Sequence, residues 1–277
     1  MELYRETCHK CSKVITQAYS TSFTLGIKTL HKKFHEPIYA IYGFVRCADE
    51  IVDTFHDYDK RKLLADYKKQ AFEAIENGIS LNPVLHAFQV VVKDYGIDWS
   101  YIEAFLKSME MDLEDHVYDS SLYNEYIYGS AEVVGLMCLK VFCEGDEAMF
   151  ERLRRPACSL GAAFQKVNFL RDMRSDYTDR GRVYFPKVEY GSFNNSSKAA
   201  IEADIRNDFE EAYVGIMALP RSARMGVYLA YVYYLKLFRK IQNLPATHIL
   251  NERVRVPDKA KLAILLGSYL RYRLNAI

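Results

Sequence analysis

The sequence predicts an all-α protein built as one helical bundle, and three observations predict it. Helix start and stop signals recur from end to end while alternating strand patterns are almost absent. No internal repeat and no low-complexity linker marks a domain boundary, so residues 1–277 are expected to form a single domain. With 277 residues, 50% of them hydrophobic, the chain can bury a substantial core without staples.

The elements follow in order. Pro37 is placed as the first residue of a helix running to about Thr54, because proline's missing N–H costs nothing in a first turn. Asn82 caps a second helix whose first residue is Pro83 and which Gly96 ends. Asp98 caps WSYIEAFLKSMEMDLED, and an uninterrupted pattern runs from about Leu122 to Cys143. Pro156 is expected to open PACSLGAAFQKVNFLRDMRSD. The stretch YTDRGRVYFPKVEYGSFNNSSK, rich in turn residues, reads as the one conspicuous loop. Helices resume over 198–218, 221–241 and 257–272.

Charge excludes several classes of function. Lys+Arg 37 against Asp+Glu 36 gives a formal net charge of +1, too little to argue for nucleic acid. The N-terminal MELYRETCHKCSK lacks the apolar core of a signal peptide, and runs such as GVYLAYVYYL fall short of the ~18 residues of a membrane span. A cytoplasmic protein is expected, with room for peripheral contact with a membrane. Six scattered cysteines read as reduced thiols, and the Cys8/Cys11 pair has no second pair to complete a zinc site. His31 and His35 stand at HxxxH spacing, but with Lys32 in place of glutamate and no third ligand they read as a surface turn.

Two acidic stripes carry the chemistry. At 100° per residue, Tyr42, Arg46, Asp49 and Asp53 share an arc of roughly 60°, and Gln165, Asn168, Asp172 and Asp176 one of roughly 80°. Carboxylates at i and i+4 repel, and no lysine is interleaved to offset them. A divalent cation would. Oxygen donors suit Mg²⁺, which binds through one or two carboxylates and shares its remaining positions with water and phosphate. Arg46, Arg171, Arg174, Arg180 and Arg182 supply guanidinium forks for a diphosphate, although Arg171 lies about 100° off its stripe. There is no GxxxxGK[ST] and no GxG, so nucleotide transfer and a Rossmann cofactor site lose ground.

SxSF near the N-terminus, YAIYGFVRCADEIVD, YIYGSAEVVGLM and FQKVNFLRDMRSDYTDRGRVYFP, in that order, strongly resemble the motifs of the head-to-head prenyl synthases (phytoene, squalene and dehydrosqualene synthases) over residues 19–262. The resemblance implies an isoprenoid-synthase fold with a central cavity and Mg²⁺ held between two facing DxxxD motifs and the substrate diphosphates, with Mn²⁺ as a substitute. It places Asp49 and Asp53 in the first metal motif and Asn168, Asp172 and Asp176 in the second. Ser20, Ser22, Tyr42, Arg46, Gln165 and Arg171 stand where relatives contact prenyl diphosphate, and Arg182 lies beside them. Phe23, Tyr42, Tyr126, Tyr228 and Tyr231 are candidates to line the cavity and face a carbocation. The implied partners are prenyl diphosphates, with no protein partner required. Departures are Thr21 where many relatives carry a basic residue, with Lys28 as a replacement; Glu132 in place of a glycine, read as a structural contact; and His248 near a usual tyrosine.

Phytoene synthesis from two geranylgeranyl diphosphates is the expected reaction, without NADPH. Squalene, dehydrosqualene or hydroxysqualene synthesis from farnesyl diphosphate is the rival. A non-catalytic scaffold of the same fold should have lost a carboxylate of the stripes, and this chain keeps all four. Asp49→Asn and Asp172→Asn are each expected to cut turnover by orders of magnitude with the melting temperature level or slightly raised.

Overall fold

The computed structural model describes residues 1–114, 118–186, 188, 190–255, 264–265 and 267–268. The ordered elements among them are helical: α1 Glu2–Tyr19, α2 Thr21–Thr29, α3 His35–Asp53, α4 Lys60–Asn77, α5 Pro83–Tyr95, α6 Trp99–Met111, α7 Ser120–Ile127, α8 Val133–Cys143, α9 Glu147–Arg180, α10 Asn195–Ala218, α11 Arg221–Gln242 and α12 Ala246–Asn251. The caps read from the sequence are in place. Asn82 Oδ1 accepts from the Val84 and Leu85 amides beside Pro83, Gly96 ends α5 at φ +60°, and Asp98 Oδ1 accepts from the Ser100 amide at 2.8 Å.

Several boundaries differ from expectation, each for a physical reason. Helix α3 begins at His35, two residues before Pro37, which still falls in the first turn where the backbone N–H has no helical partner. Pro156 opens nothing: it lies inside the 34-residue α9, against α10, at a position where a Cβ on Gly215 would come within 2.3 Å of the proline Cβ. Tight packing by α10 there outweighs the lost backbone hydrogen bond. Helix α9 also runs past Tyr177 to Arg180, where Gly181 caps it at φ +66°. Helix α10 starts three residues early because Asn194 and Ser197 form a reciprocal cap. The helix expected over 257–272 falls mostly outside the described residues.

The pattern expected to run unbroken over 122–143 is interrupted by one π turn, Tyr128–Glu132, joining α7 to α8. The turn lies against α6: a Cβ on Gly129 would stand 2.4 Å from the Ala104 carbonyl oxygen. Gly129→Ala should therefore cost about 3 kcal/mol through forced backbone movement, read as a fall of several degrees in melting temperature. Ser120–Cys143 is also, by length and composition, apolar enough to cross a membrane, which the run lengths did not anticipate; 56% of its most apolar window is buried inside the fold.

Helix α1 packs on α3 and α5, α8 runs antiparallel along α9, and α10 and α11 complete the other side. One apolar cluster centres on Phe34, Phe44, Phe88, Phe105 and Phe150, with the Phe44 and Phe88 rings stacked at 3.9 Å. A second gathers Phe169, Tyr184, Phe209 and Phe238. Each such ring contributes about 1.5–3 kcal/mol by leaving water. A cavity walled by α2, α3, α8, α9, α10 and α11 lies among these helices.

His31 and His35 serve local structure. His31 Nδ1 accepts from the Lys33 amide, and the His35 ring meets the Leu30 carbonyl at 3.0 Å.

Candidate active site

The cavity has a volume of about 380 Å³. Its polar lining is Ser22, Tyr42, Asp49, Ser130, Gln165, Asn168, Tyr233 and Tyr234; most of the rest is aliphatic or aromatic, including Leu25, Ile38, Val134, Leu139, Phe142, Leu153 and Leu219. Along α3 the lining runs from Ile38 to Asp49 and along α9 from Leu153 to Asn168, which at 1.5 Å per residue makes a bore ~16–22 Å long. The polar residues Asp49 and Asn168 mark one end of both spans. Small residues let the walls close: Gly161 abuts Ala131, Gly135 abuts Ala157, and Gly226 abuts Gly26 and Leu30.

The first stripe reaches this end of the bore through Tyr42 and Asp49. Burial, reinforced by neighbouring Asp53 and opposed by Arg46, raises the Asp49 pKa to about 7. Arg46 does not line the cavity. Its guanidinium binds Glu50, stands 4.0 Å from Asp49 and lies 4.3 Å over the Tyr19 ring, while its Nε is buried without a hydrogen-bond partner. Burial opposes the Arg46 charge, but Glu50 and Asp49 outweigh it and lift its pKa above the ordinary value. Asp53, the last residue of α3, lies outside the cavity lining. Ser20 is the N-cap of α2, accepting from the Phe23 amide at 3.1 Å, and Phe23 meets the Tyr42 ring at 5.3 Å.

The second stripe divides. Gln165 and Asn168 line the cavity, and Asn168 Oδ1 accepts from the Tyr234 hydroxyl at 3.3 Å. Asp172 is held by two guanidiniums, Arg171 Nε at 3.0 Å and Arg253 Nε at 2.7 Å. Burial opposes the Arg171 charge, but Asp172 outweighs it and raises its pKa. Asp176 is buried beside Arg182 and Tyr184 in a separate small pocket, its carbonyl capped by the Arg182 amide at 2.9 Å.

Four further residues expected at the cavity are placed elsewhere. Tyr126 is 4% exposed and donates to both Asp112 carboxylate oxygens at 3.1 and 2.9 Å. Arg182 joins the same carboxylate at 2.9 Å, tying the loop after α9 to the end of α6. A buried carboxylate needs such donors, and Asp112 draws both away from the cavity. Tyr228 and Tyr231 likewise pack in the second apolar cluster. Tyr233 and Tyr234 line the bore instead, Tyr234 stacked on Phe164 at 3.9 Å. On α11 the stripe Gly226, Ala230, Tyr233 carries the signal that finds them: small residues at helical spacing leading to a ring. Glu132 contacts the Cys158 thiol, and burial raises its pKa. Glu50, Asp112 and Arg253 had no such signal, since each matters through partners distant in sequence or through one hydrogen bond.

Among the described residues no three His, Cys, Asp or Glu side chains converge into a ready metal cluster. The donor set nonetheless fits Mg²⁺, because that ion binds through one or two carboxylates and completes its shell with water and phosphate. Asp49 and Asp53, one helical turn apart at the end of α3, form such a pair. An arrangement with hard anionic donors and guanidiniums at one end of a long apolar bore suits a ligand with a polyanionic head and a hydrocarbon tail.

A family model described as squalene/phytoene synthase matches residues 16–259. The chain is 26% identical to a phytoene synthase of Arthrospira platensis, covering 97% of this chain and 94% of that one. It is 27% identical to a 4,4'-diapophytoene synthase of Staphylococcus haemolyticus over 73% of this chain and 68% of that one. A crystal structure of a dehydrosqualene synthase in complex with ligand superimposes with a TM-score of 0.82 at 23% identity, covering 99% and 98% of the two chains.

Proposed function

The chain belongs to the squalene/phytoene synthase family, and from that premise we propose that it condenses two geranylgeranyl diphosphates head-to-head into phytoene, releasing diphosphate. At the coarser level the reaction is prenyl transfer between two allylic diphosphates. The observation that carries the reading is the apolar bore with Asp49 on one wall of its polar end and Gln165 and Asn168 on the other. The unit of function is the whole chain as a single domain, since lining residues run from Ser22 to Leu265.

In this reading Asp49, Asp53, Asn168, Asp172 and Asp176 would hold Mg²⁺, with Mn²⁺ as a substitute. The metal, when bound, supplies positive charge that stabilises the departing diphosphate. Arg46, Arg171 and Arg253 add charge-assisted hydrogen bonds to the same oxygens, Arg171 and Arg253 turning from Asp172 as the anion arrives. Tyr42, Phe23 and Tyr234 present ring faces to the allylic cation left behind. The aliphatic bore excludes water, which would trap that cation as an alcohol. NADPH has no part in this reaction. The hydrocarbon product leaves to a lipid phase, so peripheral contact with a membrane belongs to the proposal.

Condensation of two farnesyl diphosphates is the second reading, favoured by the similarity to the diapophytoene synthase. Purified protein with Mg²⁺ and each substrate decides between them. The expected result is a C40 triene from geranylgeranyl diphosphate, unchanged by NADPH and abolished by EDTA. A C30 product from farnesyl diphosphate alone selects the second reading. Absence of diphosphate release from either substrate, in folded protein, overturns both in favour of a non-catalytic scaffold.

A further inference from the structure

Several hydroxyls on helices in this chain satisfy themselves on a carbonyl three or four residues back. Thr16 donates to Ser12 O at 2.8 Å, Thr24 to Ser20 O at 2.7 Å and Ser159 to Arg155 O at 3.2 Å. Ser130 does not. It sits in the π turn between α7 and α8, where the Val133 amide reaches back five residues to Tyr128 O, and its Oγ is buried with no hydrogen-bond partner. Ser12, the other such hydroxyl among the described residues, is wedged in the core against Gly43, whereas Ser130 forms part of the cavity wall. The residues next to it on that wall are Ala131, Val134 and Gly135, so its hydroxyl is an isolated dipole in an apolar face.

Its depth can be read from the helix pairing. A Cβ on Gly161 would lie 2.7 Å from the Ala131 carbonyl oxygen, so the π turn stands level with Gly161. Asn168, at the polar end, is seven residues further along α9, or ~10 Å away. Ser130 therefore lies within ~10 Å of the polar end, near the middle of the bore, where the first isoprene units of a chain anchored by its diphosphate would hang.

We propose that Ser130 is a catalytic residue of this site, one whose hydroxyl oxygen turns to the allylic carbon and stabilises positive charge there by its dipole. The inference rests on the prenyl-condensation reading. The C1–O bond breaks, diphosphate leaves with the electron pair, and the cation left on the allylic carbons meets the Ser130 lone pairs. No proton moves at Ser130, and the contact requires its χ1 to turn the buried oxygen into the bore. Because the charge exists only after ionisation, the contact acts on kcat and leaves KM alone.

The test compares Ser130→Thr, which keeps the oxygen, with the similarly shaped Ser130→Val and with Ser130→Ala. Steady-state kinetics on the prenyl diphosphate the wild type turns over should show kcat down about tenfold in the Val and Ala variants at unchanged KM, with Thr within about twofold of wild type. Equal loss in Thr and Val, or a wild-type rate in Ala, overturns the proposal. A binding measurement keeps it testable apart from turnover: a prenyl chain ending in an ammonium should bind Ser130→Ala about tenfold more weakly than wild type, and the neutral hydrocarbon of the same length should bind both alike. Equal weakening for both probes marks a packing role and sinks the idea. A wild type that releases no diphosphate yet shows the ammonium preference overturns the catalytic role together with the condensation reading and marks Ser130 as a cation-binding group of the bore only.

Discussion

Asp49→Asn lowers diphosphate release by about three orders of magnitude while leaving the fold intact; that is the largest single effect expected here. Of the two carboxylates on the first stripe, Asp49 is the one that lines the cavity, and the amide has its shape without its charge. The stability arm has a definite sign. Burial and Asp53 raise the Asp49 pKa from 3.8 to about 7, so the folded state holds this proton more tightly than the unfolded chain does. The wild type without metal therefore loses stability as pH rises between 3.8 and about 7, and the variant does not. With 35% of the side chain exposed, solvent screening trims the gap. The variant should melt about 2 °C higher than wild type at pH 8, with the difference shrinking to nothing by pH 3. Thermal denaturation across that range, with EDTA present, checks it; a melting temperature several degrees below wild type at pH 8 would make Asp49 structural.

Asp172→Asn should match it in activity and oppose it in stability. The sequence expectation treats the two aspartates alike, but the structure separates them: Asp172 is paired with Arg171 and Arg253. Replacing it leaves two guanidiniums facing an amide, of which the Arg171 side chain is only 21% exposed. Turnover should likewise fall by about three orders of magnitude, and the melting temperature by about 3 °C, from roughly 1.5 kcal/mol of charge-assisted hydrogen bonding. Assays of diphosphate release and melting on the same preparation test both arms. A melting temperature at or above wild type would show that the two arginines do not depend on Asp172.

The helical class, the caps at Asn82, Asp98 and Gly96, and the two stripes were legible in the sequence because each is local. Capping, turn conformation and 100° periodicity depend on residues within a few positions of one another. Pro156 shows the limit of that logic. Its effect on α9 is decided by Gly215, 59 positions away, which admits the proline ring against α10. Tyr126 and Arg182 show it at the site: the family resemblance points to the cavity, and the Asp112 carboxylate holds them elsewhere.

The sequence by itself determined that this chain is all-α, which family it resembles and which residues line two acidic stripes, since those properties reside in short-range order along the backbone. Tertiary structure alone decided that Asp49, Gln165 and Asn168 share one bore, that Asp172 is neutralised and Asp176 buried, and that Tyr233 and Tyr234 take the wall in place of Tyr228 and Tyr231. The physical reason is that a side chain's charge and surroundings are set by what other helices bring to it, and those partners are close in space while far apart in the chain.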